Sequence, residues 1–285
     1  MSKVKKAQKP KSLSHGRPPV IQKPKASLTA KATRTLIRTH HRLHKALAEA
    51  VKHGDEQTAA SIRAQIEEKG GLKRYQQASI QGQSSDRGGD TSKLLMDWLP
   101  KDISKAGAKL RMLEVGALSV NNVCSRSGVF DDTRIDLNSQ GSGIQQQDFM
   151  ERPLPTSEDE KFDIISLSLV LNYVPDASQR GEMLRRTCQF LLSEPSCALS
   201  GEQMRFFPSL FLVLPAPCVT NSRYLDEKLL TQIMKTLGYS LIERKLTAKL
   251  IYHLWHWNGL TEKARFAKSE VNPGRSRNNF SVILE

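Results

Sequence analysis

Residues 110–148 constrain the fold more than any other part of the chain. They open with an apolar run, Leu110-Arg111-Met112-Leu113-Glu114-Val115, which breaks at Gly116-Ala117-Leu118-Ser119. A second run, Thr133-Arg134-Ile135-Asp136-Leu137, follows, and after it Gln145-Gln146-Gln147-Asp148-Phe149. The pattern predicts a strand, a ligand loop, a second strand with an acid at its carboxyl end, and a further acid beyond. In open α/β sheets ligands bind outside the carboxyl ends of the strands, where the connectivity reverses. Gly116 lacks a Cβ and lets the backbone approach a ligand closely. Asp136 lies twenty positions on. At that spacing a carboxylate can accept hydrogen bonds from both hydroxyls of a ribose.

Two nucleoside cofactors suit this pattern. A dinucleotide asks for G-x-G-x-x-G, because its pyrophosphate rests on bare backbone. The loop here, Gly116-Ala117-Leu118-Ser119-Val120-Asn121, has one glycine. S-adenosylmethionine carries no phosphate and tolerates a poorer loop. An acid in the strand before the glycine, Glu114 here, is familiar from methyltransferases. The residues favour the methyl donor; a dinucleotide, or a plain strand–turn–helix, stays open.

The charge is unevenly placed. The 285 residues carry a net charge of +14. Residues 1–53 hold fourteen Lys and Arg against the single acid Glu49, or +13, which leaves +1 for the rest (14 − 13). A near-neutral domain with a basic arm points to a polyanion, most simply nucleic acid. A solubilising tail with a nuclear import signal is the other reading, and the two are compatible. Lys3, Lys5, Lys6, Lys9 and Lys11 form a loose cluster of the nuclear or nucleolar kind. Cys124, Cys188, Cys197 and Cys218 form no C-x-x-C pair, so zinc spacing is absent and reduced thiols are expected. No secretory signal and no run of about 18 apolar residues is present, so no membrane partner is expected. His253 and His256 would face opposite sides of a strand, and no metal is expected there.

Three regions follow. Residues 1–29, rich in Lys, Pro and Ser, are expected to be a disordered basic tail. Residues 30–71 are expected to form a helical hairpin: Leu36, Leu43, Leu47 and Ala50 share one arc, Arg34, Arg38, Arg42, Lys45 and Lys52 the other, and Gly54 separates a second helix carrying Ala59, Ile62 and Ile66. Residues 72–285 are expected to be the catalytic domain. It begins with a polar, glycine-bearing linker to Asp90, in which Arg87 could present a guanidinium to the cofactor's carboxylate. Residues 91–99 read as a short helix. Residues 162–168 read as a strand buried on both faces, followed by a loop, 169–175, curling over the cofactor. Asp176 and Gln179 resemble a capping box. Strands are expected at 210–214, 241–246, 250–257 and 280–284, with a helix at 223–237. The chain thus alternates strand and helix and finishes in strands. This predicts an α/β, Rossmann-like class I methyltransferase sheet with terminal antiparallel strands.

Several segments together are specific. Gln81-Gly82-Gln83-Ser84 to Arg87-Gly88-Gly89-Asp90, Leu113-Glu114-Val115-Gly116, Arg134-Ile135-Asp136-Leu137-Asn138, Gln147-Asp148-Phe149-Met150 and Leu167-Ser168-Leu169-Val170-Leu171-Asn172-Tyr173-Val174-Pro175 resemble the fungal nucleolar methyltransferases that modify N1 of an adenine in 25S ribosomal RNA. The resemblance covers roughly residues 70–285. It implies S-adenosyl-L-methionine as cofactor, with contacts at Gly116 and Asp136. It also implies ribosomal RNA or a pre-ribosome as partner, in the nucleus and nucleolus. An animal S-adenosylmethionine sensor of nutrient signalling is similar in fold and shares the Arg-Gly-Gly-Asp segment, which strengthens Arg87. A non-catalytic sensor acting through a protein partner is therefore the rival reading. Nothing in the sequence fixes an oligomeric state.

The chemistry agrees. Adenine N1 has a lone pair and no hydrogen, so transfer onto it needs no general base. Proximity, alignment and electrostatics suffice, and no His-Asp or Cys-His constellation stands out. The base must be unpaired or flipped. Asn172 and Tyr173, just past the fourth strand, are the candidates for hydrogen bonding and stacking to it; a core aromatic is the other reading of Tyr173. Asp148, Glu114 and Arg87 complete the candidate cofactor set. Amino-group methyltransferases usually carry Asp/Asn-Pro-Pro-aromatic at this place. Leu171-Asn172-Tyr173-Val174-Pro175 does not, which argues against the exocyclic N6.

Overall fold

The computed structural model describes residues 29–82, 89–105, 108–139, 141–259 and 264–285. The expected basic tail, apart from Thr29, and Arg87 lie outside the described residues.

The chain enters through three helices. Helix α1 spans Ala30–Lys52, and the Thr29 hydroxyl accepts from the Ala32 N–H at 3.2 Å. Helix α2 spans Glu56–Glu68 and starts at Asp55, whose carboxylate accepts from the Thr58 N–H at 3.0 Å. Such caps satisfy donors that the first turn leaves unpaired. Leu43 and Ala50 of α1 pack against Ala59, Ile62 and Ile66 of α2, as the helical period demands. Arg38, Arg42, Lys45 and Lys52 stay exposed. The linker expected from residue 72 is instead helical over its first part: α3 spans Gly71–Gly82. Its polar composition hid a narrow stripe, for Tyr75 and Ala78, one turn apart, are both buried. The unit ahead of the sheet is therefore three helices.

The rest is a seven-stranded sheet flanked by helices. Its elements are α4 (Ser92–Trp98), β1 (Leu110–Val115), α5 (Val123–Arg126), β2 (Phe130–Asp136), β3 (Gln145–Gln146), β4 (Ile164–Ser168), α6 (Ala177–Phe190), α7 (Gly201–Met204), β5 (Ser209–Pro215), α8 (Pro217–Thr220), α9 (Glu227–Thr236), β6 (Tyr239–Leu246) and β7 (Leu250–Trp257). Strand order is β3-β2-β1-β4-β5-β7-β6. Strands β1 to β5 pair in parallel, whereas β7 runs antiparallel to both β5 and β6. The expected terminal antiparallel pair is thus present, with β7 wedged between β5 and β6.

Alternation along the strands fills two cores. Leu113, Ile165, Leu167 and Leu212 face α6 and α9, meeting Met183, Leu184, Ile233 and Met234. Met112, Ile164, Phe211 and Val213 face the other way, toward Leu95 and Leu99. Burial on both faces explains why β4 and β5 read as unbroken apolar runs. After β1 the chain moves outward to β2 and β3, then returns across β1 to β4. The carboxyl ends of β1 and β4 therefore flank the switch point, where such sheets bind ligands.

One expected strand is absent. Residues 280–284 contain only an isolated bridge, Leu284 to Phe266. Val282 and Leu284 do point into the core, so the alternation is real. The backbone, however, bonds elsewhere: Ile283 N–H donates to Ala177 O at 3.0 Å. A Cβ on Gly181 would sit 1.7 Å from Ile283 O, so only glycine lets this segment lie against α6.

Candidate active site

Strand β1 delivers Glu114 and Gly116 to the switch point. Gly116 has φ +73°, a conformation that costs an L side chain roughly 1–2 kcal/mol. Its N–H donates to Ile135 O at 2.8 Å, and the Ala117 N–H donates to the same oxygen at 3.1 Å, which pins the turn to the end of β2. A Cβ here would lie 2.6 Å from Val170 Cγ2. Glycine is therefore required by the neighbouring loop itself, a demand the sequence reading assigned to a ligand alone.

Asp136 is the last residue of β2, and its Oδ1 accepts from the Asn138 N–H at 2.8 Å. Its main-chain oxygen accepts from the Gln147 N–H at 2.9 Å, so the chain leaving β3 runs beside it. Asp148 comes one residue later, with Oδ1 accepting from the Met150 N–H at 2.8 Å. Both carboxylates thus stand on the carboxyl rim, held by backbone donors.

Glu114 is more deeply engaged. Asn122 Nδ2 donates to both carboxylate oxygens, at 3.0 and 2.9 Å. Burial pushes the Glu114 carboxyl up to about 7, against those hydrogen bonds; the nearby charges of Asp132 and Asp90 add to the rise and Arg134 opposes it. Asn122 Oδ1 in turn accepts from the Ser125 N–H at 2.8 Å and caps α5. Asp90 ties in from the other side. Its Oδ1 accepts from the Ser92 N–H at 2.9 Å, and its Oδ2 from the Val123 N–H at 2.5 Å. The hydroxyls of Thr91 and Ser168 meet at 2.8 Å, joining this run to the end of β4. The sequence reading missed Asn122, Asp90 and Thr91. The available signal was capping chemistry: short polar side chains directly ahead of α4 and α5.

Strand β4 ends at Ser168, as expected, and the chain then bends sharply. Leu169 has φ +60°, a conformation rare for a bulky side chain, while its N–H still donates to Val213 O at 2.9 Å. The Tyr173 N–H donates to Val170 O at 2.8 Å and closes the turn. Asn172 Oδ1 is buried and accepts no hydrogen bond. The Tyr173 ring meets the Tyr75 ring edge-on at 5.3 Å, and Tyr75 stacks on His40 at 4.3 Å. Burial raises the Tyr173 hydroxyl, which stays protonated. Helix α3 thus bears directly on the loop after β4, and α1 backs it through His40.

The same loop is gripped from behind. Arg180, buried in α6, donates to Val174 O at 2.8 Å, Pro175 O at 3.0 Å and Ser281 O at 2.7 Å. Its guanidinium lies 4.5 Å from the Phe280 ring centre. Burial lowers its pKa to about 10.

The sheet therefore gathers Gly116, Glu114, Asp136 and Asp148 from the ends of β1, β2 and β3, and Asn172 and Tyr173 from the loop after β4, along one rim. His253 is buried, with its ring 5.2 Å from that of Trp255 and Nε2 3.4 Å from Glu227. Among the described residues no group of three or more His, Cys, Asp or Glu could hold a metal ion, and no helix is long and apolar enough to cross a membrane. A cleft of about 750 Å³, lined by Pro208, His256 and Trp257, lies at the opposite end of the sheet.

An open sheet of this order, with one reversed strand wedged at its edge and an acid-bearing rim at its switch point, defines a Rossmann-like class I methyltransferase. The chain belongs to the family described as 25S rRNA (adenine(2142)-N(1))-methyltransferase, Bmt2, whose model matches residues 60–282. It is 40% identical over 226 residues to the 25S rRNA (adenine(2142)-N(1))-methyltransferase of Saccharomyces cerevisiae, covering 78% of this chain and 63% of that one. It is 42% identical over 218 residues to the 25S rRNA adenine-N(1) methyltransferase of Schizosaccharomyces pombe, covering 74% and 76%. The chain thus spans rather less than two thirds of the first relative. Among solved structures it resembles the 16S rRNA methylase RmtB, with 13% identity, a TM-score of 0.40, and 78% and 97% of the two chains covered. It also resembles an O-methyltransferase family protein from Burkholderia thailandensis, with 9% identity, a TM-score of 0.42, and 83% and 74% covered. The fold assignment rests on strand order, not on these likenesses.

Proposed function

We propose that this protein transfers a methyl group from S-adenosyl-L-methionine to N1 of an adenine in 25S ribosomal RNA, acting on rRNA or a pre-ribosome in the nucleolus. The observation that carries the reading is the rim itself, in a chain of this family. The left-handed turn at Gly116 stands beside Asp136, and an acceptor loop holds a buried amide oxygen with nothing to accept.

S-adenosylmethionine supplies the methyl group. The residues present suit it: the Gly116 turn offers bare backbone, and Asp136 and Asp148 offer carboxylates for hydroxyl and amine donors. Glu114, braced by Asn122, stiffens the turn from beneath. On the acceptor side, Asn172 Oδ1 can accept from the exocyclic N6 amino group of adenine, which leaves the N1 lone pair free. That pairing selects adenine over bases with a carbonyl at the same place. Adenine N1 carries a lone pair and no proton, so no side chain has to remove one before transfer. Alignment and exclusion of water are what the loop contributes.

Primer extension tests the reading. An adenine methylated at N1 cannot pair and stops reverse transcriptase. Expression of this chain in a yeast strain lacking its relative should restore a stop in 25S rRNA. Donor binding in vitro with no restored stop would instead favour a non-catalytic sensor.

A further inference from the structure

We propose that the ledge formed by residues 222–224 and the strap 264–280 is a second contact surface for the RNA backbone, distinct from the basic amino-terminal arm. The proposal rests on the rRNA reading above.

The ledge follows β5, seven residues past Pro215, and so lies on the same carboxyl rim as the acceptor loop. Its geometry is fixed by the backbone. The Val271 and Asn272 N–H groups donate to Arg223 O at 2.9 and 3.1 Å, and the Arg223 N–H donates to Asn278 O at 2.9 Å. The strap is therefore a rigid mount for the side chains it carries.

Those side chains are cations whose hydrogen-bond partners are neutral: Arg223 Nη2 donates to Gly274 O at 3.1 Å and Arg277 Nε to Pro273 O at 3.2 Å, which fixes the guanidinium groups without cancelling their charge. Arg265, Lys268 and Arg275 are exposed, and Arg223 and Arg277 are half-buried. Among the described residues none of the five has a carboxylate within 4.0 Å, whereas other surface arginines such as Arg185 and Arg244 do. Lys268 Nζ stands 4.4 Å from the Tyr224 ring centre, and Arg223 Cζ 5.8 Å from it. One aromatic ring thus draws two like charges together. The neighbouring acids are engaged elsewhere: Asp226 caps α9 through the Leu229 N–H, and Glu227 is held by Arg244 at 2.6 and 2.7 Å. Glu270 is the one acid among residues 264–284. Gathered, unneutralised cations with planar guanidinium groups fit phosphates, and interleaving with an aromatic favours single-stranded RNA.

The strap then runs on to Phe280 and Ser281, which Arg180 joins to Val174 and Pro175. RNA held on the ledge would lie beside the loop that carries Asn172.

The test is a charge reversal, Lys268→Glu with Arg275→Glu, in the full chain, read by filter binding of a synthetic mixed-sequence single-stranded RNA at several salt concentrations. Affinity should fall about tenfold or more, and removing two phosphate contacts at ~0.7 each should flatten the salt slope by about 1.4. Affinity for S-adenosylmethionine should not move. The unchanged donor affinity of the reversed variant excludes a folding defect, and the conservative pair Lys268→Arg with Arg275→Lys should bind RNA as the parent does, because it keeps both charges. An unchanged RNA affinity and slope in the reversed variant, with 25S methylation intact, would overturn the ledge alone. A parent protein that neither binds RNA nor restores the 25S stop would overturn the rRNA reading, and the ledge with it.

Discussion

Asn122 Nδ2 donates to both carboxylate oxygens of Glu114, at 3.0 and 2.9 Å, while its Oδ1 accepts from the Ser125 N–H. One side chain thereby fixes the end of β1 to the start of α5, on either side of a loop with a single glycine. Phosphate-binding loops gain their shape from several glycines; here a side-chain brace takes over that task.

The brace has a pH signature. Glu114 ionises near 4.5 in the unfolded chain and at about 7 in the folded protein. The folded state holds the proton more tightly, so the stability tied to this group is complete below about pH 4.5 and is lost as pH rises toward 7. Within that window the loss approaches ~1.4 kcal/mol per pH unit. Glu114→Gln should remove it. Unfolding midpoints of parent and variant, compared at pH 5 and pH 8, should differ more favourably for the parent at pH 5. A pH-independent difference would refute the assignment.

Gly116→Ala should be destabilising by about 1–3 kcal/mol, from the left-handed backbone and the clash with Val170 together. Donor affinity should fall with it, because the turn and the acceptor loop move as one. Calorimetric unfolding and donor titration on the same preparation check both. Normal stability with lost binding would show that the ligand, not Val170, imposes the glycine.

Asp136→Ala should lower donor affinity by more than about tenfold, or ~1.4 kcal/mol, and leave the unfolding midpoint nearly unchanged. The carboxylate stands at the rim and accepts from the Asn138 N–H. Affinity within about threefold of the parent would remove Asp136 from the site.

Asn172 separates stability from turnover. Its Oδ1 is buried without a donor, an arrangement that costs folding free energy. Asn172→Ala should therefore change stability by less than about 1 kcal/mol, yet reduce methyl transfer at saturating donor by tenfold or more. Single-turnover rates decide; an unchanged rate would mean that the amide serves only the loop.

For the basic arm, the packing of α1 against α2 changes where a clean cut falls. Removing residues 1–53 would strip Leu43 and Ala50 from their core and take away His40 from Tyr75. Removing residues 1–28 instead deletes eight cations and no acid. RNA affinity and its salt dependence should drop, with donor affinity untouched. An unaltered salt slope would defeat the role of the arm.

The parts of this protein legible in its sequence are those governed by short-range pattern. The limits of β1 and of β7, the end of β4 at Ser168 and the cap at Asp176 all follow from apolar runs and turn chemistry. The helix α3 was hidden because Tyr75 and Ala78, buried among its described side chains, sit within a polar segment. Residues 280–284 misled for the opposite reason: the alternation was genuine, but the segment lies against α6, where Ile283 N–H bonds to Ala177 O, and not along a strand. The site divides the same way. The rim positions of Glu114, Gly116, Asp136 and Asp148 were readable from strand ends, and Asn122 and Asp90 could have been found from capping chemistry, whereas Arg180 and Tyr75 act across the fold and leave no local mark. Tyr173 lies on the loop after β4, and its ring faces Tyr75.

The acceptor loop is clasped from two sides, by Tyr75 from the front of the chain and by Ser281, through Arg180, from its far end. About two hundred positions of sequence separate Tyr75 from Ser281. Neither grip can be rebuilt by a change local to the loop, and loosening either one leaves the loop half held. Its shape is therefore a readout of how well the whole domain has closed.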